Sequence, residues 1–191
     1  MKRIEPSCSG YVLLLGVEGQ HPALAHHNIF FGPDYRREFA DIFQRGSPQR
    51  DQTVYVAITS KADPDHAPPG CENWFVMINT PPQTSQDWDT LIANARKNII
   101  NKLSEILSYD IDSVIEEEDI LEPRIIETRN LSYQGSLYGN SSNNKFAAFL
   151  RHSNVSGQIK GLYFCGGSVH PGGGIPLSLL SAKIVDDLMH A

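Results

Sequence analysis

The chain has 191 residues, of which 40% are hydrophobic, and its formal net charge at pH 7 is −6. This length supports one domain with a core, or a domain with an appendage. The acidic balance argues against a nucleic-acid-binding surface, and no apolar run approaches the ~20 residues that span a membrane. Three widely spaced cysteines, Cys8, Cys71 and Cys165, are typical of reduced thiols in a cytoplasmic protein rather than of a disulfide framework or a zinc site.

Predicted strands dominate the first eighty residues. The continuous apolar run over 10–17 favours a strand covered on both faces, and 52–59 and 73–79 are rich in β-branched and aromatic residues. We predict strands over 10–17, 29–31, 52–59 and 73–79. Asp34 is expected to cap a short helix that runs to about Phe43. This spacing favours an antiparallel meander.

The most regular pattern predicts a long amphipathic helix that ends near Leu107. Thr84 or Ser85 is the expected N-cap, and Asp87 and Asp89 lie in the first turn, where a carboxylate suits the helix dipole. The apolar stripe of this helix repeats every three or four residues: Trp88, Leu91, Ile92, Ala95, Ile99, Leu103 and Ile106.

The region after this helix is predicted to be less regular. The acidic run over 116–119 is interpreted as a solvated connector, and Pro123 fits the first turn of a short helix that ends near Thr128. Residues 130–145 are rich in Asn, Ser and Gly and predict an irregular loop. The order of the predicted elements favours an α+β fold over a regular βαβ series, because the strands come first, helices follow, and one strand–loop–helix unit ends the chain.

The last thirty residues predict a strand, a glycine loop and a helix. Five of the nine residues 166–174 are glycine, which lets the backbone approach a ligand closely. The helix that follows directs the positive end of its dipole toward this loop. An anionic or electron-rich ligand is therefore favoured over a plain tight turn. One face of the helix is predicted to carry Leu177, Leu180, Ile184, Val185 and Leu188.

Other chemistries fit this sequence less well. No Gly-Lys-Ser/Thr follows the loop, as a P-loop requires, and no acidic residue lies about 20 residues further on, as a Rossmann fingerprint requires. A nucleophile at Ser168 is disfavoured because His170 stands where a nucleophile elbow needs glycine. His26 and His27 would point to opposite faces of an extended segment. They and His21 are therefore interpreted as structural, and no metal site is expected.

The stretch over 161–182 resembles the C-terminal signature of bacterial phytoene desaturases, which are FAD-dependent carotenoid desaturases, and of related carotenoid oxidoreductases. Its centre is Gly166-Gly167-Ser168-Val169-His170-Pro171-Gly172-Gly173-Gly174-Ile175-Pro176. The resemblance covers essentially the whole chain, in the family's order, through 6–17, 26–31, 35–39, 41–43, 63–70, Pro123, 135–139 and Arg151.

This resemblance implies an enzyme that dehydrogenates a long apolar polyene, a carotenoid. FAD would lie across a dinucleotide-binding domain while a second, sheet-based domain shapes an apolar tunnel. A hydrocarbon without a polar handle is held by apolar burial, and the flavin accepts the hydride. The resemblance identifies no catalytic residue. It places eight residues beside the flavin: Gly166, Gly167, His170, Pro171, Gly172, Gly173, Gly174 and Ile175.

Two departures from the family pattern shape the expected domain organisation. Gly167 stands where many related flavoproteins have an acid, so contacts to the ribityl or pyrophosphate group would come from backbone. The family's N-terminal strand–GxGxxG–helix unit has no counterpart in this sequence. We therefore expect 1–155 to be a substrate-binding domain of sheet and helices. Residues 156–191 would be the terminal strand, loop and helix of an incomplete FAD-binding domain.

The expected function is that of the C-terminal part of an FAD-dependent carotenoid desaturase, which as an isolated chain would neither bind FAD tightly nor desaturate a substrate. Two alternatives stay open. One is a non-catalytic module that binds an apolar ligand or forms a homodimer through its uncovered face. The other is one half of a split flavoenzyme. The lipid-like substrate implies peripheral membrane contact of a cytoplasmic protein.

Overall fold

The computed structural model describes residues 5–46, 51–139, 141 and 151–190. Its centre is one five-stranded antiparallel sheet with the strand order β2-β3-β4-β1-β5. Together with the helices, this sheet confirms the predicted α+β class. The strands are β1 (Ser9–Glu18), β2 (His27–Phe30), β3 (Val54–Ala57), β4 (Cys71–Thr80) and β5 (Ile115–Leu121).

The central strands β1 and β4 pair along their whole length, from Ser9 opposite Thr80 to Glu18 opposite Cys71. Successive side chains of a strand point to opposite faces, so this register puts alternate residues of both strands on a common face. That face is the core of the protein, and its buried residues include Tyr11, Leu13, Leu15, Trp74, Val76 and Ile78.

A long helix, α2 (Trp88–Leu107), contributes its predicted apolar stripe to this core through Ala95, Ile99 and Leu103. The predicted cap at Thr84 or Ser85 is wrong. The side chain of Asp87 caps the helix instead, because its carboxylate accepts a hydrogen bond of 3.2 Å from the backbone N–H of Thr90.

The opposite face of the sheet is partly open. Leu14 is 41% exposed and Ile29 is 55% exposed, while Tyr55, Phe75 and Met77 are half-buried. The strand register pairs Leu14 with Phe75, Tyr55 with Met77, and Ile29 with Tyr55, so these side chains lie on one continuous apolar surface. We call this surface the open sheet face. The prediction of a β1 strand covered on both faces is therefore only partly correct.

The acidic run over 116–119 is a strand and not a connector, which corrects the sequence interpretation. It forms most of β5, which pairs with β1 at the edge of the sheet. Charged residues suit an edge strand because one side of it faces solvent. The carboxylate of Glu118 also accepts hydrogen bonds of 2.7–2.9 Å from the guanidinium of Arg96 on α2.

Three further helices complete the described chain: α1 (Tyr35–Ala40), α3 (Pro123–Asn130) and α4 (Ile175–His190). The Asp34 cap of α1 is confirmed, since its carboxylate accepts from the backbone N–H of Arg37 at 3.0 Å. The predicted extension to Phe43 is a π-helical turn, Asp41–Arg45. Pro123 lies in the first turn of α3, as predicted. Single 3₁₀ turns occur at Thr59–Lys61, Pro64–His66, Asp112–Val114 and Tyr133–Gly135.

The strand predicted before the glycine loop does not form within the described residues. Tyr163 makes one isolated bridge to Val155, and the backbone N–H of Gly166 bonds to the hydroxyl of Ser181 at 3.1 Å. Two backbone hydrogen bonds, from Phe164 N–H to the carbonyl of Asn154 at 2.8 Å and from Ser156 N–H to that of Leu162 at 2.9 Å, form a local pairing that is too short for a strand ladder, so the segment stays irregular. The predicted apolar face of the terminal helix is also not buried: Leu177, Leu180 and Leu188 are exposed on α4.

Candidate functional site

The glycine loop over 166–174 is held in place by two buried polar side chains. The amide of Asn154 donates to the carbonyl oxygens of Phe164 at 3.0 Å and His170 at 2.9 Å, and to the hydroxyl of Ser181 at 3.0 Å. Ser181 in turn donates to the carbonyl of His170 at 2.8 Å and accepts from the N–H of Gly166. This network fixes both arms of the loop against α4.

Two of the loop glycines are required by close packing. A Cβ atom on Gly172 would lie 3.0 Å from Nε of Arg151, and one on Gly173 would lie 2.5 Å from Cδ1 of Tyr138. Real Cβ contacts are rarely this short, so a side chain at either position would displace the neighbour. These glycines allow Arg151 and Tyr138 to pack directly against the loop backbone.

Two other glycines face open space. A Cβ atom on Gly166 or Gly174 would meet no atom within 4 Å. Both residues have positive φ, 115° and 98° respectively, which glycine adopts without steric cost. Gly166 is half-buried and its N–H is bonded to Ser181, whereas Gly174 is exposed, so the backbone at Gly174 is the part of the loop that a ligand can approach.

A concave groove of about 540 Å³ lies along this open side. The N-terminus of α4 borders the groove. The N–H groups in the first turn of a helix have no partner within the helix, but Pro176 contributes no N–H group because proline has none. No charged side chain lines the groove in the described part of the chain, so its electrostatics come from the backbone and the helix dipole. Its lining residues are Leu137, Tyr138, Gly167, Ser168, Gly173, Gly174, Ile175, Ser178 and Leu179.

The structure divides the eight residues predicted beside the flavin into two sets. Gly167, Gly173, Gly174 and Ile175 line the groove. The other four, Gly166, His170, Pro171 and Gly172, lie in the same loop but are not among the lining residues. His170 acts through its backbone, since its N–H donates to the carbonyl of His152 at 3.0 Å and its carbonyl accepts from Asn154 and Ser181.

Sequence reasoning missed four residues that build this site: Tyr138, Arg151, Asn154 and Ser181. Arg151 donates to the carbonyl of Tyr138 at 2.9 Å and to that of Gly167 at 3.3 Å, which connects the loop to the chain before it. Tyr138 and Arg151 belong to segments that carried the family resemblance, which was the available signal. Asn154 and Ser181 give no local signal, because their pairing is a long-range contact.

A second, smaller cavity of about 200 Å³ lies on the other side of Tyr138 and Arg151. Its wall is mostly apolar, and burial raises the pKa of the Cys8 thiol that forms part of it. We call it the α1 cavity, because five of its residues come from α1 and the π-helical turn. Its lining residues are Ser7, Cys8, Tyr35, Glu38, Phe39, Ile42, Phe43, Asn79, Tyr138, Ser141 and Arg151.

Two kinds of feature are absent from the described residues. No three His, Cys, Asp or Glu side chains in this part of the chain are grouped as a metal site would need. No helix among the same residues is long and apolar enough to cross a bilayer.

The chain is similar to curated carotenoid-modifying enzymes. It is 52% identical over 185 residues to the 1-hydroxycarotenoid 3,4-desaturase of Flavobacterium sp. (strain P99-3), an alignment that covers 97% of this chain and 38% of the relative. It is 36% identical over 193 residues to the 4,4'-diapolycopene oxygenase of Methylomonas sp. (98% and 38%). It is 36% identical over 195 residues to the 4,4'-diaponeurosporene oxygenase of Staphylococcus aureus (strain MSSA476) (100% and 38%).

No family model matches the chain. The chain spans about 38% of the length of these curated relatives, and its glycine loop lies in the matched region. The predicted resemblance to carotenoid desaturases is therefore confirmed at the level of homology. The chain belongs to the family of bacterial carotenoid desaturases and oxygenases, and it corresponds to the C-terminal portion of such a protein.

Proposed function

We propose that the chain is the C-terminal portion of an FAD-dependent carotenoid oxidoreductase, in which it supplies an apolar wall for a polyene and one corner of the flavin site. The observation that carries this proposal is the 52% identity, over 97% of the chain, to a protein named as a carotenoid desaturase. Two relatives at 36% identity are named as oxygenases. Desaturation is the reaction we favour, and product analysis distinguishes it from oxygenation.

The groove beside the glycine loop supports the cofactor part of the proposal. Gly167, Gly173, Gly174 and Ile175 would hold the flavin, since they line the groove and Gly174 leaves open space for it. A bound flavin supplies hydride acceptance, which no side chain can provide. The dipole of α4 favours negative charge at this end of the helix. The Asn154–Ser181 network keeps the loop rigid, so the backbone is positioned before a ligand arrives.

The open sheet face supports the substrate part of the proposal. A polyene hydrocarbon offers no polar group, so its affinity comes from removing apolar surface from water, at about 25 cal/mol per Å². Leu14 and Ile29 are exposed here, and Phe75 is half-buried beside Leu14. These side chains form an apolar wall on strands that the core holds rigid. A substrate of this kind is concentrated in lipid, so peripheral membrane contact of a cytoplasmic protein belongs to the proposal.

Coproduction tests the cofactor part. The chain is coproduced with a polypeptide that bears a strand–GxGxxG–helix unit, and we expect the complex to retain flavin and to lengthen the conjugation of an acyclic polyene, seen as a red-shifted absorption. Purified alone with excess FAD, the chain is expected to yield no stoichiometric yellow complex. A stoichiometric FAD complex of the isolated chain, or a coproduced complex without flavin, contradicts the proposed division of the cofactor site.

A matched pair of glycine variants sharpens this test. Gly174 and Gly161 both have positive φ, 98° and 78°, and open space where a Cβ would lie, but only Gly174 borders the groove. Gly174→Val is expected to reduce flavin retention in the coproduced complex, because the new side chain fills the groove. Gly161→Val introduces comparable backbone strain and is expected to leave retention unchanged. Equal retention in the two variants would contradict the placement of the flavin.

A second function, assembly of two copies, is favoured by the exposed apolar side chains of α4. Ile175 is 79% exposed and Leu179 is 67% exposed, and apolar patches of this kind commonly mark interfaces. Light scattering on the isolated chain tests it, with Leu179→Glu as the disrupting variant and exposed Leu131→Glu, outside α4, as the control. A strictly monomeric chain that binds no hydrocarbon contradicts this second function.

A further inference from the structure

A group of exposed aromatic side chains lies around α1, away from the core. Phe31, which directly follows β2, is 71% exposed, Tyr35 is 57% exposed and Phe39 is 44% exposed. Tyr35 and Phe39 are four residues apart on α1, which puts them on one face of the helix. The chain before α1 packs against it, since a Cβ atom on Gly32 would lie 3.3 Å from Oε2 of Glu38. The three rings therefore lie on neighbouring parts of one surface.

Three exposed arginine side chains accompany these rings. Arg36 and Arg37 directly follow Tyr35, and Arg45 ends the π-helical turn. Arg36 makes no hydrogen bond or ion pair with any residue that the structure describes. Arg37 and Arg45 both pair with the carboxylate of Asp41, so one negative charge faces two positive ones.

The acidic residues of the same segment do not cancel this charge at the surface. Glu38 is 2% exposed, and its carboxylate accepts hydrogen bonds from the N–H and the hydroxyl of Thr53. Asp41 is buried as well, and the exposed carboxylate of Asp34 caps α1 by accepting from the N–H of Arg37. The exposed charges over 34–45 are thus three guanidinium groups and one carboxylate. On a chain with a net charge of −6, this positive surface is a local feature.

Exposed rings beside exposed cations fit an anionic lipid surface. Peripheral proteins bind such a surface by burying apolar side chains at the boundary of headgroups and acyl chains, while arginine and lysine are attracted to the lipid phosphates. The position of the surface agrees with this role. Tyr35 and Phe39 also form part of the α1 cavity, and Tyr138 lines both that cavity and the groove beside the glycine loop. A bilayer in contact with α1 would therefore lie next to the cavity that adjoins the proposed flavin corner.

We propose that this surface docks the protein on an anionic lipid bilayer, with its rings among the headgroups and its guanidinium groups on the lipid phosphates. We call it the α1 patch, and its residues are Phe31, Tyr35, Arg36, Arg37, Phe39 and Arg45. The inference rests on the proposed function, which supplies a substrate dissolved in lipid, and it assigns the membrane contact to one part of the chain and to one charge class of lipid. Docking in this way holds the α1 cavity at the membrane surface.

Vesicle binding of the purified chain, without flavin, tests the inference. The chain is mixed with increasing amounts of phosphatidylcholine vesicles, either pure or containing phosphatidylglycerol, and the bound fraction is measured by cosedimentation. We expect binding to the anionic vesicles to be about tenfold tighter, because basic side chains near the membrane are attracted by its surface potential. High salt should remove most of this difference by screening. Equal binding to both kinds of vesicle, or binding to neither, overturns the inference.

Arg36→Glu tests the cationic part of the α1 patch. It places an anion where the patch has an exposed cation, and it is expected to weaken binding to the anionic vesicles about tenfold. Arg129→Glu, at an exposed position of α3, changes the net charge by the same amount and is the matched control, which should bind as the wild type does. Equal losses in the two variants, with unchanged circular dichroism, would mean that only the net charge matters and would overturn the inference.

Phe31→Ser tests the aromatic part. Loss of the exposed ring removes apolar surface that the bilayer would bury, so binding to the anionic vesicles should weaken about fivefold. Tyr133→Ser removes a ring that is 65% exposed outside the patch and should have no effect. Leu179→Ser examines the exposed apolar face of α4, and a larger loss there than in Phe31→Ser would assign the membrane contact to α4 and overturn the inference.

The coproduced complex shows whether the α1 patch stays accessible beside another polypeptide. We expect the complex to bind anionic vesicles as the isolated chain does, and its Arg36→Glu variant to lose this binding while it retains flavin. A complex that does not bind vesicles, or a change of oligomeric state in Arg36→Glu by light scattering, would show that protein covers the patch and would overturn the inference. Flavin retention without vesicle binding defeats the inference alone, whereas vesicle binding without flavin retention defeats the proposed function.

Discussion

The sheet with α2 and the segment over 151–190 are held together by different forces. In the first region, apolar residues of β1, β3, β4 and α2 are buried against one another in a single core. In the second, Val169 is the one apolar side chain that the structure describes as buried, and hydrogen bonds from Asn154 and Ser181 fix the loop instead. The first region is stabilised by its own apolar core, whereas most of the apolar surface of the second region is exposed and can contact another molecule.

Two leucine-to-alanine variants, one in each region, should show the largest difference in the free energy of unfolding. Leu103 on α2 is fully buried, so Leu103→Ala removes core contacts and leaves a cavity, at a cost of about 3 kcal/mol. Leu179→Ala on exposed α4 should change the free energy of unfolding by less than about 0.5 kcal/mol. Urea denaturation measures both values, and similar losses in the two variants would show that α4 is packed in solution.

The buried Glu72 should make the sheet region sensitive to acid. Burial opposes ionisation of this carboxyl group, but hydrogen bonds from Lys61, Trp74 and the backbone N–H of His21 outweigh it and lower its pKa. A carboxyl whose pKa is lowered by folding stabilises the protein above its unfolded-state pKa of about 4.3, and this contribution is lost as the pH falls through the folded-state value.

Glu72→Gln is accordingly expected to cost about 2 kcal/mol at pH 7, because it leaves the half-buried Lys61 ammonium without its counter-charge. The variant should also lose less stability than the wild type below about pH 4.3. Melting temperatures recorded from pH 7 to pH 3 measure both effects. Glu116→Gln, at an exposed position of β5, is the control and should follow the wild-type curve; parallel curves for all three proteins would rule out this role of Glu72.

Asn154→Ala should act locally. It removes hydrogen bonds to Phe164, His170 and Ser181, which we expect to weaken the loop by about 1–2 kcal/mol while the core is unaffected. Hydrogen exchange should speed up over 164–174 and stay unchanged in β1 and β4. The exposed Asn101→Ala on α2 is the matched control, and global acceleration in Asn154→Ala would mean that the two regions unfold together.

The smallest effect is expected at Gly166. Its φ of 115° is unfavourable for alanine, but no atom obstructs a Cβ there, so Gly166→Ala should cost about 1 kcal/mol through backbone strain alone. Gly173→Ala adds a steric conflict with Tyr138 and should disturb the loop more. Hydrogen exchange over 166–174 compares the two, and an equal effect would indicate that Tyr138 moves aside freely.

Composition and periodicity predicted the sheet region well. The β-branched and aromatic residues of β4 and the apolar stripe of α2 are local features of the sequence, so these elements were predictable from it. β5 was not, because its acidic residues follow from its position at the sheet edge, which is a property of the topology. The strand predicted before the glycine loop was wrong for a similar reason. The local sequence does not show that the backbone N–H of Gly166 bonds to the hydroxyl of Ser181 and not to a neighbouring strand.

The candidate site was predictable where glycines mark it. Gly173 and Gly174 were identified from the sequence, and the structure places both along the groove. Glu38 was not identified, because a single acid on a short helix has the same local pattern whether it is solvated or buried. Its environment depends on Thr53, fifteen residues further along the chain, and contacts of this kind require the fold.

The two edges of the sheet limit how this protein can associate. β5 presents an acidic edge, and its like charges would oppose a second copy placed alongside it. The opposite edge, β2, has four residues and is followed by Gly32 and Pro33, and proline cannot donate to a strand ladder. Addition of a second copy of the chain to the sheet is therefore disfavoured at both edges. Docking through side chains, above all those of α4, is the more favourable way for such a copy to associate.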